Sequence, residues 1–271
     1  MWPRAILFDL DDTLFDHRRA STLALTAMHA AHAPDLPFEP FACKHAEVLE
    51  IFHARFLAGE FNLDQARVAR MQTLFASFER EIDADTAGHA ARIYREQHQA
   101  NRHLVAGALE LLNALRNHCR LGIVTNNSTA EQIEKLRALN ITSYFDTIVI
   151  SEDVGATKPD SRIFAIACER LGADAQDVVF VGDNWTNDIV GAINAGISAV
   201  WLDLDGKAPA LAGIPEQKQS EDRASISVSH PRIATITSLA PAASVINAIK
   251  TVFKNRTPGA NEHEQLETLA S

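Results

Sequence analysis

The 271-residue chain is 46% apolar and 22% charged, enough to bury a core without disulfides or a structural metal and too apolar for wholesale disorder. Lys and Arg number 25 against 35 Asp and Glu, a formal charge of −10. That argues against bulk electrostatic binding to nucleic acid or an anionic membrane, but not against a small anionic substrate, because a few local cations reverse the sign at one site.

Residues 4–9 (RAILFD) read as a buried strand ending on an acid. Helical stretches follow at 17–33, 38–57, 63–80 and 84–101, broken by Pro34, Pro37 and Pro40 and by Gly59 and Asn62. From Gly107 the pattern alternates. Helix 107–118 precedes strand 120–125, helix 129–139 strand 146–150, helix 160–171 strand 177–181, and helix 187–195 strand 198–202. These strands are continuous apolar runs, as a parallel sheet covered on both faces requires. The expected fold is therefore α/β: a doubly wound, Rossmann-like parallel sheet over 1–16 and 102–254, with a smaller all-helical domain inserted at 17–101. Residues 205–230 read as loop, 231–237 as a further short strand, 239–253 as a closing helix and 255–271 as a flexible tail.

No apolar run approaches the ~18 residues of a membrane span. The opening MWPRAILFDLDDTLF is unlike a secretory leader, and Cys43, Cys119 and Cys168 lie far apart with no Cys-x-x-Cys. A reducing, cytoplasmic setting is expected, with the protein a monomer or homodimer.

In an open parallel sheet, ligands bind beyond the carboxyl ends of the strands. Strand one is followed by Asp9-Leu-Asp11-Asp12-Thr13, the next by Thr125-Asn126-Asn127, and the third by Ser151-Glu152-Asp153 with Lys158-Pro159 further on. The fourth leads into Gly182-Asp183-Asn184 and Asp188. Four polar strand ends from distant segments describe one site, and its chemistry suits phosphoryl transfer. Asp9 can attack phosphorus, and Asp11 can protonate the leaving oxygen and then deprotonate water. For that role Asp11 must hold a proton, which crowding by neighbouring acids would favour. Lys158 and a Mg²⁺ held by Asp9 and Asp183 would balance the transferring group's charge, with Thr125 and main-chain N–H groups on its oxygens.

These motifs resemble the haloacid dehalogenase-like (HAD) hydrolase superfamily over residues 5–17 and 105–202, with Asp9-x-Asp11-x-Thr13, Thr125, Lys158, and Gly182-Asp183 with Asp188. The run from Gly182 to Gly196 is similar to that of the subfamily I phosphatases. The resemblance implies that Asp9 is nucleophile and metal ligand, and Asp11 acid/base with its main-chain carbonyl on the metal. It makes Asp183 a ligand and Asp188 the residue orienting a metal-bound water or Lys158. Thr125, Asn126 and Lys158 would bind the substrate phosphate. It also makes 17–101 a C1 cap that closes over the site and reads a small phosphorylated metabolite, a nucleotide or a sugar phosphate. Asp12 departs from the glycine of many members. The alternatives are a 2-haloacid dehalogenase, a phosphomutase and a non-catalytic phosphate-binding protein. Of the remaining residues, His29, His32, His45 and His53 are expected at surface or boundary positions, Arg67 and Arg70 on a solvated helix face, and Trp185 in packing.

Overall fold

The residues AILF, VVFVG and SAVWL are too apolar for any place but between two layers, and the chain puts them there. A computed structural model describes residues 1–204 and 230–256. Of the expected loop at 205–230 and tail at 255–271, residues 205–229 and 257–271 lie outside the described residues. The chain divides into two compact units, one of Met1–Phe15 with the chain from Leu104 onward, the other of Asp16–His103.

The first unit holds a six-stranded sheet of β1 (Ala5–Phe8), β2 (Arg120–Thr125), β3 (Thr147–Ile150), β4 (Val178–Gly182), β5 (Ser198–Leu202) and β6 (Ile233–Ile236). Its order is β3-β2-β1-β4-β5-β6, with every pairing parallel. This is the doubly wound sheet expected from the strand runs. The order reverses at β1, so the ends of β1, β2 and β4 flank the switch point where ligands enter such sheets.

The second unit is α1 (His17–His32), α2 (Phe38–Leu57), α3 (Leu63–Ala76) and α4 (Ala84–Ala100). Its core joins Met28, Phe41, Met71, Leu74, Phe75 and Tyr94. The Asn62–Gln65 capping box starts α3, and Asp83 accepts from the Thr86 N–H to start α4. Expectation fails at His45, which is buried against Tyr94 rather than at the boundary. Burial, helped by the charge of Arg70, pulls its imidazole down to about 3. Arg70 lies over the Tyr94 ring at 5.0 Å rather than on a purely solvated face.

The sheet unit's remaining helices are α5 (Ala108–Leu115), α6 (Thr129–Ala138), α7 (Ser151–Val154), α8 (Ser161–Leu171), α9 (Gly191–Asn194) and α10 (Ala242–Lys254). The helix expected at 187–195 is instead two pieces, a wider π-helical turn over Trp185–Val190 and then α9. Such wide turns occur frequently at functional sites, and this one carries Asp188. Trp185 packs edge-on against Trp201 with ring centroids 5.1 Å apart.

Candidate active site

Asp9 is the residue directly after β1, and its N–H donates to the Val181 carbonyl of β4 (3.0 Å), so the strand register fixes where its carboxylate starts. Asp12 turns the chain with φ of 60°. That left-handed conformation is where a glycine is unstrained and an aspartate is tolerated, so the departure at this position costs little. Thr13, fully buried, donates its hydroxyl to Asp183 Oδ1 at 3.3 Å.

Lys158 Nζ lies 2.5 Å from Asp9 Oδ1 and 2.6 Å from Asp188 Oδ1, and all three side chains are buried. Asn126 sets this lysine in place, accepting from the Lys158 N–H (2.9 Å) and donating to its carbonyl (3.1 Å). The bracing of Lys158 by Asn126 is not readable from the motif. Asp188 Oδ2 accepts from the Asn184 N–H at 3.0 Å. It approaches Gly182 so closely that a Cβ there would fall 2.4 Å from Oδ2, which is why the residue before Asp183 has no side chain. Asp183 is held by its carbonyl, which accepts from Trp201 Nε1 at 2.9 Å.

Burial pushes the Asp9 carboxyl well above the usual carboxylate range; Lys158 opposes this, while Asp188, Asp183 and Asp11 reinforce it. Burial by itself would lower the Lys158 ammonium, but Asp188 and Asp9 together hold it above its ordinary value. Asp9, Asp183 and Asp188 each offer a carboxylate oxygen, and the three oxygens lie within 4.8 Å of one another. An all-oxygen anionic set of this kind suits a hard cation such as Mg²⁺, and a cation there would relieve the crowding of three acids around one lysine. Asp188, expected to orient Lys158 or a metal-bound water, contacts the Lys158 ammonium, and its carboxylate also stands in one cluster with those of Asp9 and Asp183.

Asp11 is where expectation and structure part. The sequence surrounds it with acids, and Asp9 does feel its charge, but Lys135 Nζ sits 2.7 and 2.9 Å from its two carboxylate oxygens, a cation that the sequence reading did not include. Gln132 Nε2 reaches Asp11 Oδ2 (3.1 Å) and the Thr125 hydroxyl (2.8 Å). Both partners come from α6, and sequence reasoning missed both. A signal did exist: Gln132, Lys135, Leu136 and Leu139 stand at i, i+3, i+4 and i+7, so two polar residues occupy positions of a core-facing stripe.

The result is a parallel α/β site with a buried acid–lysine–acid cluster at the strand ends, the architecture of a hydrolase that works on an anionic group. The sequence profile of the haloacid dehalogenase-like hydrolases matches residues 6–202, and the chain belongs to that family. It is 45% identical over 97 residues to the pyrimidine 5′-nucleotidase YjjG of Escherichia coli, a match spanning 35% of this chain and 43% of that protein. It is 31% identical over 221 residues to the N-acylneuraminate-9-phosphatase of Mus musculus, spanning 76% and 85%. Among solved structures, the magnesium-bound HAD-hydrolase YfnB of Bacillus subtilis superposes with a TM-score of 0.70 at 25% identity, covering 91% of this chain and all of that one. Solved 2-haloacid dehalogenases share the fold as well, with TM-scores of 0.56 and 0.66.

Proposed function

We propose that the chain hydrolyses a phosphate monoester of a small metabolite, a nucleotide or a sugar phosphate, through an aspartyl-phosphate on Asp9. The observation that carries this reading is the buried Asp9 carboxylate, 2.5 Å from Lys158 in one cluster with Asp183 and Asp188. Relatives named as a nucleotidase and a phosphatase support it.

Asp9 attacks phosphorus, and the alcohol oxygen leaves with a proton from Asp11. Asp11 then takes a proton from water, whose oxygen attacks the acyl-phosphate, releasing inorganic phosphate and restoring Asp9. Lys158 and the Thr125 hydroxyl hold the phosphoryl oxygens as charge develops on them. Asn126 fixes Lys158 in place beside the phosphate that it is itself expected to contact. Mg²⁺, held by Asp9, Asp183 and the Asp11 carbonyl with Asp188 beside it, would supply positive charge to the phosphoryl group. In the same reading the helical unit discriminates among substrates, and the protein works in the cytoplasm as a monomer or homodimer.

The test is phosphate release from a panel of nucleoside monophosphates and sugar phosphates, with Mg²⁺ and with chelator, using Asp9→Asn as the blank. Metal-dependent release that disappears in the variant supports the reading. No release by folded wild-type protein, with chloride released instead from a 2-chloroacid, would replace it with dehalogenation.

A further inference from the structure

Lys135 is 4% exposed, an unusual place for a lysine on a helix that offers it an open surface. Burying an ammonium has a large desolvation cost, and a leucine would complete the core-facing stripe of α6 at none. The partner that the buried lysine meets is Asp11, whose side chain remains 25% exposed. The contact is bidentate, 2.7 and 2.9 Å, and the Phe15 ring stands 5.3 Å from the ammonium, so Lys135 is held from a second side by the loop that carries Asp11.

Gln132 adds a second hold. One amide nitrogen donates toward Asp11 Oδ2 (3.1 Å), Thr125 Oγ1 (2.8 Å) and the Asn126 carbonyl (3.3 Å). Its buried Oε1 has no hydrogen-bond partner among the described residues, so these three acceptors orient the amide. One turn of α6 therefore ties the Asp11 carboxylate to the threonine after β2.

We propose that Lys135 and Gln132 are positioning residues that aim the Asp11 carboxylate and lock it to Thr125, so that proton delivery and phosphate grip keep a fixed geometry. The proposal rests on the phosphatase reading. An ion pair that merely closes a gap in the core would support both reaction halves equally. One that aims Asp11 matters most where a proton must reach the leaving oxygen.

The experiment compares an alkyl phosphate, whose alkoxide leaves poorly, with p-nitrophenyl phosphate, whose phenolate leaves without a proton. In Lys135→Met, kcat for the alkyl ester is expected to fall roughly 10²-fold, the cost of a small misplacement, and for the aryl ester less than about ten-fold, with KM little changed. Gln132→Leu is expected to show the same leaving-group bias more weakly, and serves if Lys135→Met does not fold. In an Asp11→Asn background, Lys135→Met should add no further loss. A crystal structure of Lys135→Met should show the Asp11 carboxylate turned from its place. Equal losses for both esters, full additivity with Asp11→Asn, or an unmoved Asp11 would each overturn the proposal. Wild-type protein inert toward both esters would count against the phosphatase reading, and the crystal structure of the variant would still decide what orients Asp11.

Discussion

The two units bury ionisable groups in opposite ways. The sheet unit holds Asp9 where burial favours the protonated form, and the carboxyl is raised although Lys158 beside it pulls the other way. The helical unit holds His45 where burial favours the neutral form, so the imidazole is lowered to about 3. An acid raised in the folded state stabilises it fully below the unfolded value near 3.8, and that stability is lost as pH rises through the folded value. A histidine lowered in the folded state leaves stability intact above the unfolded value near 6.5, and it is lost as pH falls toward about 3. The first arrangement suits a site that receives a cation. The second is ordinary core, in which a neutral imidazole packs on a tyrosine ring.

The comparison can be broken most directly at Asp9. Asp9→Asn should lower phosphate release to below about one ten-thousandth of wild type while leaving the melting temperature unchanged or higher, since a raised carboxyl is replaced by a neutral amide. Turnover near wild type would remove Asp9 as nucleophile. Lys158→Met should show the reverse pattern of stability, leaving Asp9 and Asp188 buried without their ammonium. A loss of about 3–5 kcal/mol, or roughly 6–20 °C in calorimetry, is expected along with turnover. His45→Phe tests the other unit. Wild-type stability measured by urea unfolding should fall between pH 6.5 and about 3 with a contribution of up to about 1.4 kcal/mol per pH unit from this residue, and the variant should flatten that slope. An unchanged slope would mean that His45 is not the buried neutral group described. Gly182→Ala puts a methyl against Asp188 and should cost about 1–3 kcal/mol and impair turnover. The smallest effect belongs to Asn62→Ala, which removes one half of the α3 capping box and should cost about 1 kcal/mol with phosphate release unaffected.

The two units also differ in how far a sequence exposes them. Asp9, Thr125 and Asp183 were legible because each stands at or directly after a short apolar strand, and the doubly wound topology delivers such positions to one edge. Lys158 was legible by its motif, in the loop that follows the third strand. Lys135 was missed, because its place in the stripe of Gln132, Leu136 and Leu139 marks an inward face but not the Asp11 carboxylate that waits there, which only the tertiary fold supplies. The wide turn at Trp185–Val190 was not legible, since one extra residue per turn leaves no compositional mark. His45 was missed because a single polar residue in an apolar stripe is read as an interruption until its neighbours are known.

The central strand of the sheet is also the first to leave the ribosome. Ala5 of β1 pairs with Arg120 on one side and Val178 on the other, both more than a hundred residues later in the chain. During synthesis the wholly apolar AILF segment therefore waits through the whole helical insertion with both of its edges unpaired. That is the circumstance in which nascent strands aggregate or engage chaperones. The aspartate that ends this strand is translated before every other member of its cluster, and its surroundings are complete only after Asp188 has emerged. A truncated chain ending near residue 150 is thus expected to hold a folded helical unit beside an open, aggregation-prone half sheet, a difference that limited proteolysis of stalled nascent chains would read directly.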